Sequence, residues 1–222
     1  MNNKSANRIK RMTVMAVLCA LAYLCTFLLH FKVSFLTFDF KDAVIAIPSL
    51  IYGPLAGVFS SAIVSFIEFI TVSDTGVYGL IMNFISSACF SGVIGLIYKY
   101  RRTFSGAIIA VIAAVFSVTA IMMLANLFIT PFYMGVPRGE VLKLIPSMLL
   151  PFNLVKSIMN ASLTLIIYKP ITKALGSMAL IGYKQAPQKN TLRSVILLLC
   201  ALAVAAAALL FFIFYLKGTV DM

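Results

Sequence analysis

The sequence predicts an all-α, polytopic integral membrane protein with six core helices and a seventh at the C-terminal end. Three observations carry that reading. The chain of 222 residues is 62% hydrophobic, with a mean hydropathy of +1.06, well above the roughly 45–50% apolar content of soluble domains. Its apolar runs reach the length of about 20 residues that a helix needs to cross a bilayer. Its charges, 18 basic against 6 acidic, sit between those runs. In a soluble chain a net charge of +12 would suggest a nucleic-acid surface. Here the charge reads as a membrane-orientation signal, and no nucleic-acid partner is expected.

The runs follow in order. Met12 to Phe31 comes after a basic start, Lys4, Arg8, Lys10 and Arg11. It is too long for a signal peptide and lacks a small-residue cleavage site, so a retained helix is expected. Ala43 to Ser73 is interrupted by Gly53-Pro54, and proline disrupts a helix interior. Thr75 to Tyr98 and Thr103 to Pro137 are uncharged, Leu144 to Tyr168 carries only Lys156, and Ser194 to Leu216 is a clean final span.

The break at Gly53-Pro54 sets the topology. If 43–73 is two spans, twelve basic residues share the N-terminal side: Lys4, Arg8, Lys10, Arg11, Lys99, Arg101, Arg102, Lys169, Lys173, Lys184, Lys189 and Arg193. Lys32, Lys41, Arg138, Lys143 and Lys217 lie opposite. A single span reverses the bias. The positive-inside rule therefore favours two spans, a cytoplasmic N-terminus and an outside C-terminus. The piece from Lys41 to Tyr52 rises only about 18 Å as a helix, short of a core of roughly 30 Å. It must be extended or shielded by neighbours, and such interrupted segments border binding sites in transporters.

Residues 1–175 thus form the expected membrane core, 176–193 a cytoplasmic linker, and 194–222 the extra helix and a short tail. The linker carries Gly176, Ser177, Gly182, Gln185, Pro187, Gln188 and Asn190.

Catalytic motifs are missing. The sequence has no GxxxxGK[ST] phosphate loop, no GxGxxG fingerprint and no HExxH, and His30 is its only histidine. Cys19, Cys25, Cys89 and Cys200 all lie in apolar runs without a CxxC, so packing roles are expected and neither a disulfide framework nor a metal site is. No cofactor is expected.

What remains is a sparse set of polar residues at membrane depth, where such groups are costly and often functional. Asn153, Lys156 and Asn160 share one helix face by their spacing. Lys156 either faces a cavity or partner, or snorkels to the outer interface. Ser61, Ser65 and Glu68 form a second stripe, open to helix–helix hydrogen bonding or to a ligand. Asn83 and Asn126 are single amides that suit interhelical contacts or a site. The segment from His30 to Asp42 is aromatic-rich and charged, which fits a lid stacking on a flat ligand or an interfacial aromatic belt. Ala16 and Ala20 make a small-xxx-small pair that lets another helix approach closely.

Several stretches taken together resemble a known family. They are Phe-Leu-Thr-Phe-Asp-Phe-Lys-Asp at 35–42, Tyr-Gly-Pro-Leu-Ala-Gly at 52–57, Met-Asn-Phe at 82–84, Ala-Asn-Leu-Phe at 125–128 with Pro131 and Tyr133-Met134-Gly135, and Leu-Pro-Phe-Asn-Leu-Val-Lys at 150–156. Over residues 10–175 the chain resembles the substrate-binding S components of energy-coupling factor (ECF) vitamin transporters, and among them the riboflavin-specific group.

The resemblance implies a six-helix S-component core in a bacterial cell membrane, capturing a vitamin from outside. It implies a membrane coupling subunit and two cytoplasmic ATPases as partners, and riboflavin as the transported ligand. Leu36, Thr37 and Asp39 would line the pocket from the first outer loop. Asn83, Asn126, Asn153 and Lys156 would supply its polar contacts. Ala16 and Ala20 would meet the coupling subunit. Glu68 and the helix at 194–216 fall outside the family pattern. The competing expectations are an S component for another vitamin or precursor, a membrane-embedded enzyme, and a ligand-free assembly subunit. In the last of these the Asn153/Lys156/Asn160 face packs on a partner helix.

Overall fold

The structure is a computed structural model. It describes residues 3–33 and 35–177, with Ala203, Ala206, Ala207, Leu210 and Phe214 beyond them. Those five are helical and exposed. The rest of the expected linker and seventh helix lies outside the described residues.

The first helix, α1 (Asn3–Leu28), leads into a short hairpin of β1 (Phe31–Val33) and β2 (Leu36–Phe38). There follow α2 (Lys41–Tyr52), α3 (Pro54–Thr71), α4 (Gly76–Tyr100) and α5 (Phe104–Met134). Then come α6 (Arg138–Leu144), a π-helical turn over Ile145–Leu149, and α7 (Leu150–Ser177). Among the described residues, five stretches are long and apolar enough to cross a membrane: Ser5–Leu28, Pro54–Thr71, Gly76–Tyr100, Phe104–Met134 and Arg138–Tyr168. Expecting helices alone is corrected by the hairpin, whose strands pair antiparallel with Lys32 opposite Thr37. Three-residue strands are too short to reveal a period of two in the sequence.

The break between α2 and α3 falls where proline chemistry puts it. Pro54 occupies the first turn of α3, where its missing N–H costs nothing. Gly53 before it takes φ +95°, a region glycine enters without steric penalty. Thr103 opens α5 by accepting a hydrogen bond from the Gly106 N–H at 3.1 Å. Gly135 closes it in the left-handed conformation.

Neighbours shield the short helix. Ten of the twelve residues of α2 are buried, and it packs against α1, α3, α4 and α7. It therefore needs no bilayer-spanning length. Its burial also corrects the reading of Lys41 as an outer-loop charge, because Lys41 is 1% exposed. Close approach of α2, α3 and α4 depends on small residues. A Cβ at Gly95 would lie 2.7 Å from the Pro54 Cα, and one at Gly57 2.8 Å from the Ser91 Cβ. Ser61 and Ser91 are 3.2 Å apart across the α3–α4 contact, the helix-to-helix use expected of membrane serines. Cys19 lies in the apolar core with Leu18, Ala22, Ile45, Ile94 and Val111.

The helices alternate in direction, which gathers one set of ends. Arg11 near the start of α1 stacks over Tyr52 at the end of α2, 5.1 Å from the ring centre. Near the end of α4 and in the C-terminal half of α7 the hydroxyls of Tyr98 and Tyr168 are 2.5 Å apart. The basic segments around Arg11, Arg101 and Lys173 therefore share one end of the bundle. The hairpin closes the other.

Candidate functional site

At the hairpin end a cavity of about 240 Å³ opens among the helix termini. The ends of α1, α3 and α5 and the starts of α4 and α7 form its walls, and the hairpin covers one side. Leu36, Thr37, Asp39, Asn83, Asn126, Asn153 and Lys156 all line it. Residues up to 120 positions apart in the chain thus meet around a single space.

The floor is a ladder of buried charges. Lys156 reaches from α7 to the Asp39 carboxylate at 2.8 Å and to the Thr37 carbonyl at 3.1 Å. It is only 9% exposed, so it does not snorkel. Asp39 also stands 3.8 Å from the Lys41 ammonium, and Lys41 in turn pairs with Glu68. The Asn83 amide donates to Glu68 at 3.4 Å. Below the ladder, buried Asp42 accepts a hydrogen bond from Ser87. Charges this deep are tolerable only when paired and hydrogen-bonded, so the ladder fixes hairpin, α2, α3 and α7 relative to one another.

Asn160 plays a different part from its two face-mates. Its amide oxygen accepts from the Ala43 N–H at 2.9 Å, and its nitrogen donates to the Asp39 carbonyl at 3.0 Å. It therefore satisfies an open N–H in the first turn of α2, where Phe40 at the helix start offers no side-chain cap. The expected face divides: Asn153 and Lys156 reach the cavity, whereas Asn160 holds the loop behind it.

The remaining walls are aromatic and amide. Phe35 lies 6.4 Å from Tyr133, and Tyr78 lies 6.3 Å from Tyr133. All three rings line the cavity, as does Phe152. Phe38 is buried against Phe152 at 4.4 Å between ring centres, so part of the aromatic segment is core, neither lid nor belt. Asn126 donates to the Met122 carbonyl at 2.7 Å, and Thr130 donates to its amide oxygen at 2.8 Å. Asn153 donates to the Leu149 carbonyl at 2.8 Å, at the end of the π-helical turn. Such turns are frequent at functional sites.

At the rim, Lys32 of the hairpin pairs with Asp74 between α3 and α4. That hydrogen bond holds the exposed Asp74 carboxyl below its ordinary range. Several lining residues were not among the contacts expected from the sequence. Lys41 is masked by its place beside a loop, and Tyr78, Thr130 and Tyr133 lie in otherwise ordinary membrane runs. Ala16 and Ala20 are exposed on α1 and do not line the cavity.

The family model for the substrate-specific component of ECF transporters matches residues 10–168. The chain belongs to that family. It is an S component, a multi-pass membrane protein whose family serves transport. It is 25% identical over 175 residues to the riboflavin transporter RibU of Staphylococcus aureus (strain TCH60), covering 75% of this chain and 92% of that one. It is 28% identical over 164 residues to the riboflavin transporter FmnP of Bacillus subtilis (strain 168), covering 68% and 86%. A solved structure of the S component of a bacterial ECF transporter superimposes with a TM-score of 0.65 at 24% identity. It covers 76% of this chain and 98% of the other, so the S-component fold extends over the bundle described above.

Proposed function

We propose that this S component captures riboflavin at the outer face of a bacterial cell membrane and hands it to an energy-coupling module made of a membrane coupling subunit and two ATPases. The observation that carries the reading is the make-up of the cavity. A flat tricyclic ring is best held between aromatic side chains, and Phe35, Tyr78, Tyr133 and Phe152 line this space. A pyrimidine edge presents both donors and acceptors, which amides match, and Asn83, Asn126 and Asn153 line it too. The names of the two relatives support the same ligand.

The residues proposed to contact it are Leu36, Thr37 and Asp39 from the hairpin side, and Asn83, Asn126, Asn153 and Lys156 from the helices. The cavity of about 240 Å³ lies just below the roughly 300 Å³ at which ligand sites typically start. The basic segments at the opposite end of the bundle support a cytoplasmic N-terminus. That orientation turns the cavity outward. The exposed Ala16 and Ala20 are the proposed contact with the coupling subunit, because small residues permit close helix approach.

The test is uptake of labelled riboflavin by cells that express this chain with and without a coupling module. Accumulation that requires both is expected. Uptake by the chain alone, or by neither, contradicts the role of a capture subunit.

A further inference from the structure

Every lysine that lines the cavity is already matched by a carboxylate. Lys156 is held by Asp39 at 2.8 Å, Lys41 by Glu68 and rim Lys32 by Asp74. The space therefore offers a bound ligand no uncompensated cation among the described residues. Asp39 and Glu68 each keep one buried carboxylate oxygen without a hydrogen-bond partner among the described residues, and the one not held by Lys156 is Glu68. It is 2% exposed and lines the cavity. One carboxylate oxygen is held by Lys41 and Asn83, while the other is buried with no hydrogen-bond partner among the described residues. A buried charged acceptor left unpaired is costly, and the shortfall points to a donor that arrives with the ligand.

Thr26, Ser73 and Thr75 also line the cavity, hydroxyls suited to a polyol, and the Ser73 N–H donates to the Glu68 carbonyl at 2.9 Å. The aromatic rings come from the hairpin, α4, α5 and α7.

We propose that Glu68 is a specificity-determining residue that accepts a hydrogen bond from a hydroxyl of the ligand's side chain and selects the neutral alcohol over its phosphate ester. The inference rests on the riboflavin reading. The physical reason is one-sided chemistry. A carboxylate only accepts hydrogen bonds, so it welcomes a hydroxyl and repels a phosphate dianion. With all three cavity lysines matched, nothing offsets that repulsion, and selectivity by a like charge held in the site follows.

The test is a set of quenching titrations on the full-length protein in detergent. The probes are riboflavin, riboflavin 5′-phosphate and lumiflavin, which keeps the ring and lacks the ribityl chain. Wild-type protein should prefer riboflavin over its phosphate by about 100-fold or more, and Glu68→Gln should shrink that ratio at least about tenfold. Lumiflavin affinity should stay within about twofold, because lumiflavin lacks the hydroxyls from which Glu68 is proposed to accept. If Glu68→Gln fails to fold, the double change Glu68→Gln with Lys41→Met removes both charges and leaves no lone buried ammonium. Riboflavin should then lose affinity relative to lumiflavin. An unchanged ratio, or equal losses for riboflavin and lumiflavin, overturns the proposal and leaves riboflavin capture standing. Wild-type protein that binds none of the three flavins overturns the riboflavin reading itself.

Discussion

The Lys156 ammonium lies 2.8 Å from the Asp39 carboxylate, joining α7 to the loop that leads into α2 across 117 residues of sequence. This contact gives the cavity lysine a duty toward the fold beside its proposed one toward the ligand.

Removing the lysine alone should therefore cost more than binding. Lys156→Ala leaves Asp39 with only the more distant Lys41 at 3.8 Å, and breaking a buried pair one-sidedly costs about 3–5 kcal/mol. The expected outcome is a clear drop in unfolding temperature together with weaker flavin binding. The paired change Asp39→Asn with Lys156→Gln should recover most of the stability and little of the affinity. Thermal unfolding in detergent, beside a flavin titration, separates the two effects.

Asn160 should behave as a fold residue that touches the site only through the backbone. Asn160→Ala leaves the Ala43 N–H and the Asp39 carbonyl without their side-chain partner, a loss of about 1–3 kcal/mol for a buried group left unmade. A fall in unfolding temperature is expected before any change in which flavin is preferred. A variant as stable as the wild type would remove Asn160 from this role.

The contact of α4 with the α2–α3 break should tolerate no added carbon. In Gly95→Ala the new Cβ would sit 2.7 Å from the backbone of Pro54, and overpacking of this kind costs about 1–3 kcal/mol. Lower yield of folded protein and a lower unfolding temperature are expected. Gly92→Ala, whose Cβ would meet its nearest neighbour at 3.5 Å, serves as the tolerant control.

The rim pair should matter little for stability at neutral pH. Asp74 is exposed and its carboxyl is held below the ordinary range by Lys32. Its stabilising contribution is present above that ordinary range and is lost only as pH falls through the depressed value. Asp74→Asn should leave the unfolding temperature unchanged between pH 6 and 8, and any effect should appear in flavin association rates at low salt. A pH-dependent stability loss in that window, absent from Asp74→Asn, would contradict this assignment.

On α1, Ala16→Trp and Ala20→Trp should impair uptake through the coupling module while sparing flavin binding, since both positions are exposed and neither lines the cavity. Uptake that survives both changes would rule out this surface as the docking face.

Much of the bundle was legible because lipid imposes simple rules. Apolar length located the long helices, and Gly53-Pro54 marked the α2–α3 junction because proline cannot sit in a helix interior without loss. The shared face of Asn153, Lys156 and Asn160 follows from helical period. Its division between cavity and α2 does not, because that depends on which helix lies opposite. The Lys41–Glu68 pair spans 27 residues and two helices, so no local pattern announces it, and Lys41 beside a polar loop read as an outer charge. The hairpin escaped notice because its strands are three residues long. Phe38 was legible as aromatic but not as core, since only the fold brings Phe152 against it.

The measurement that most directly tests capture of riboflavin is a fluorescence titration of riboflavin with detergent-purified, folded protein, read beside the absorption spectrum of the same preparation. The account predicts a yellow preparation or saturable quenching with one flavin bound per chain at nanomolar to low-micromolar ligand. A folded, colourless protein that leaves riboflavin fluorescence unquenched would contradict it, and would assign the cavity to a different vitamin.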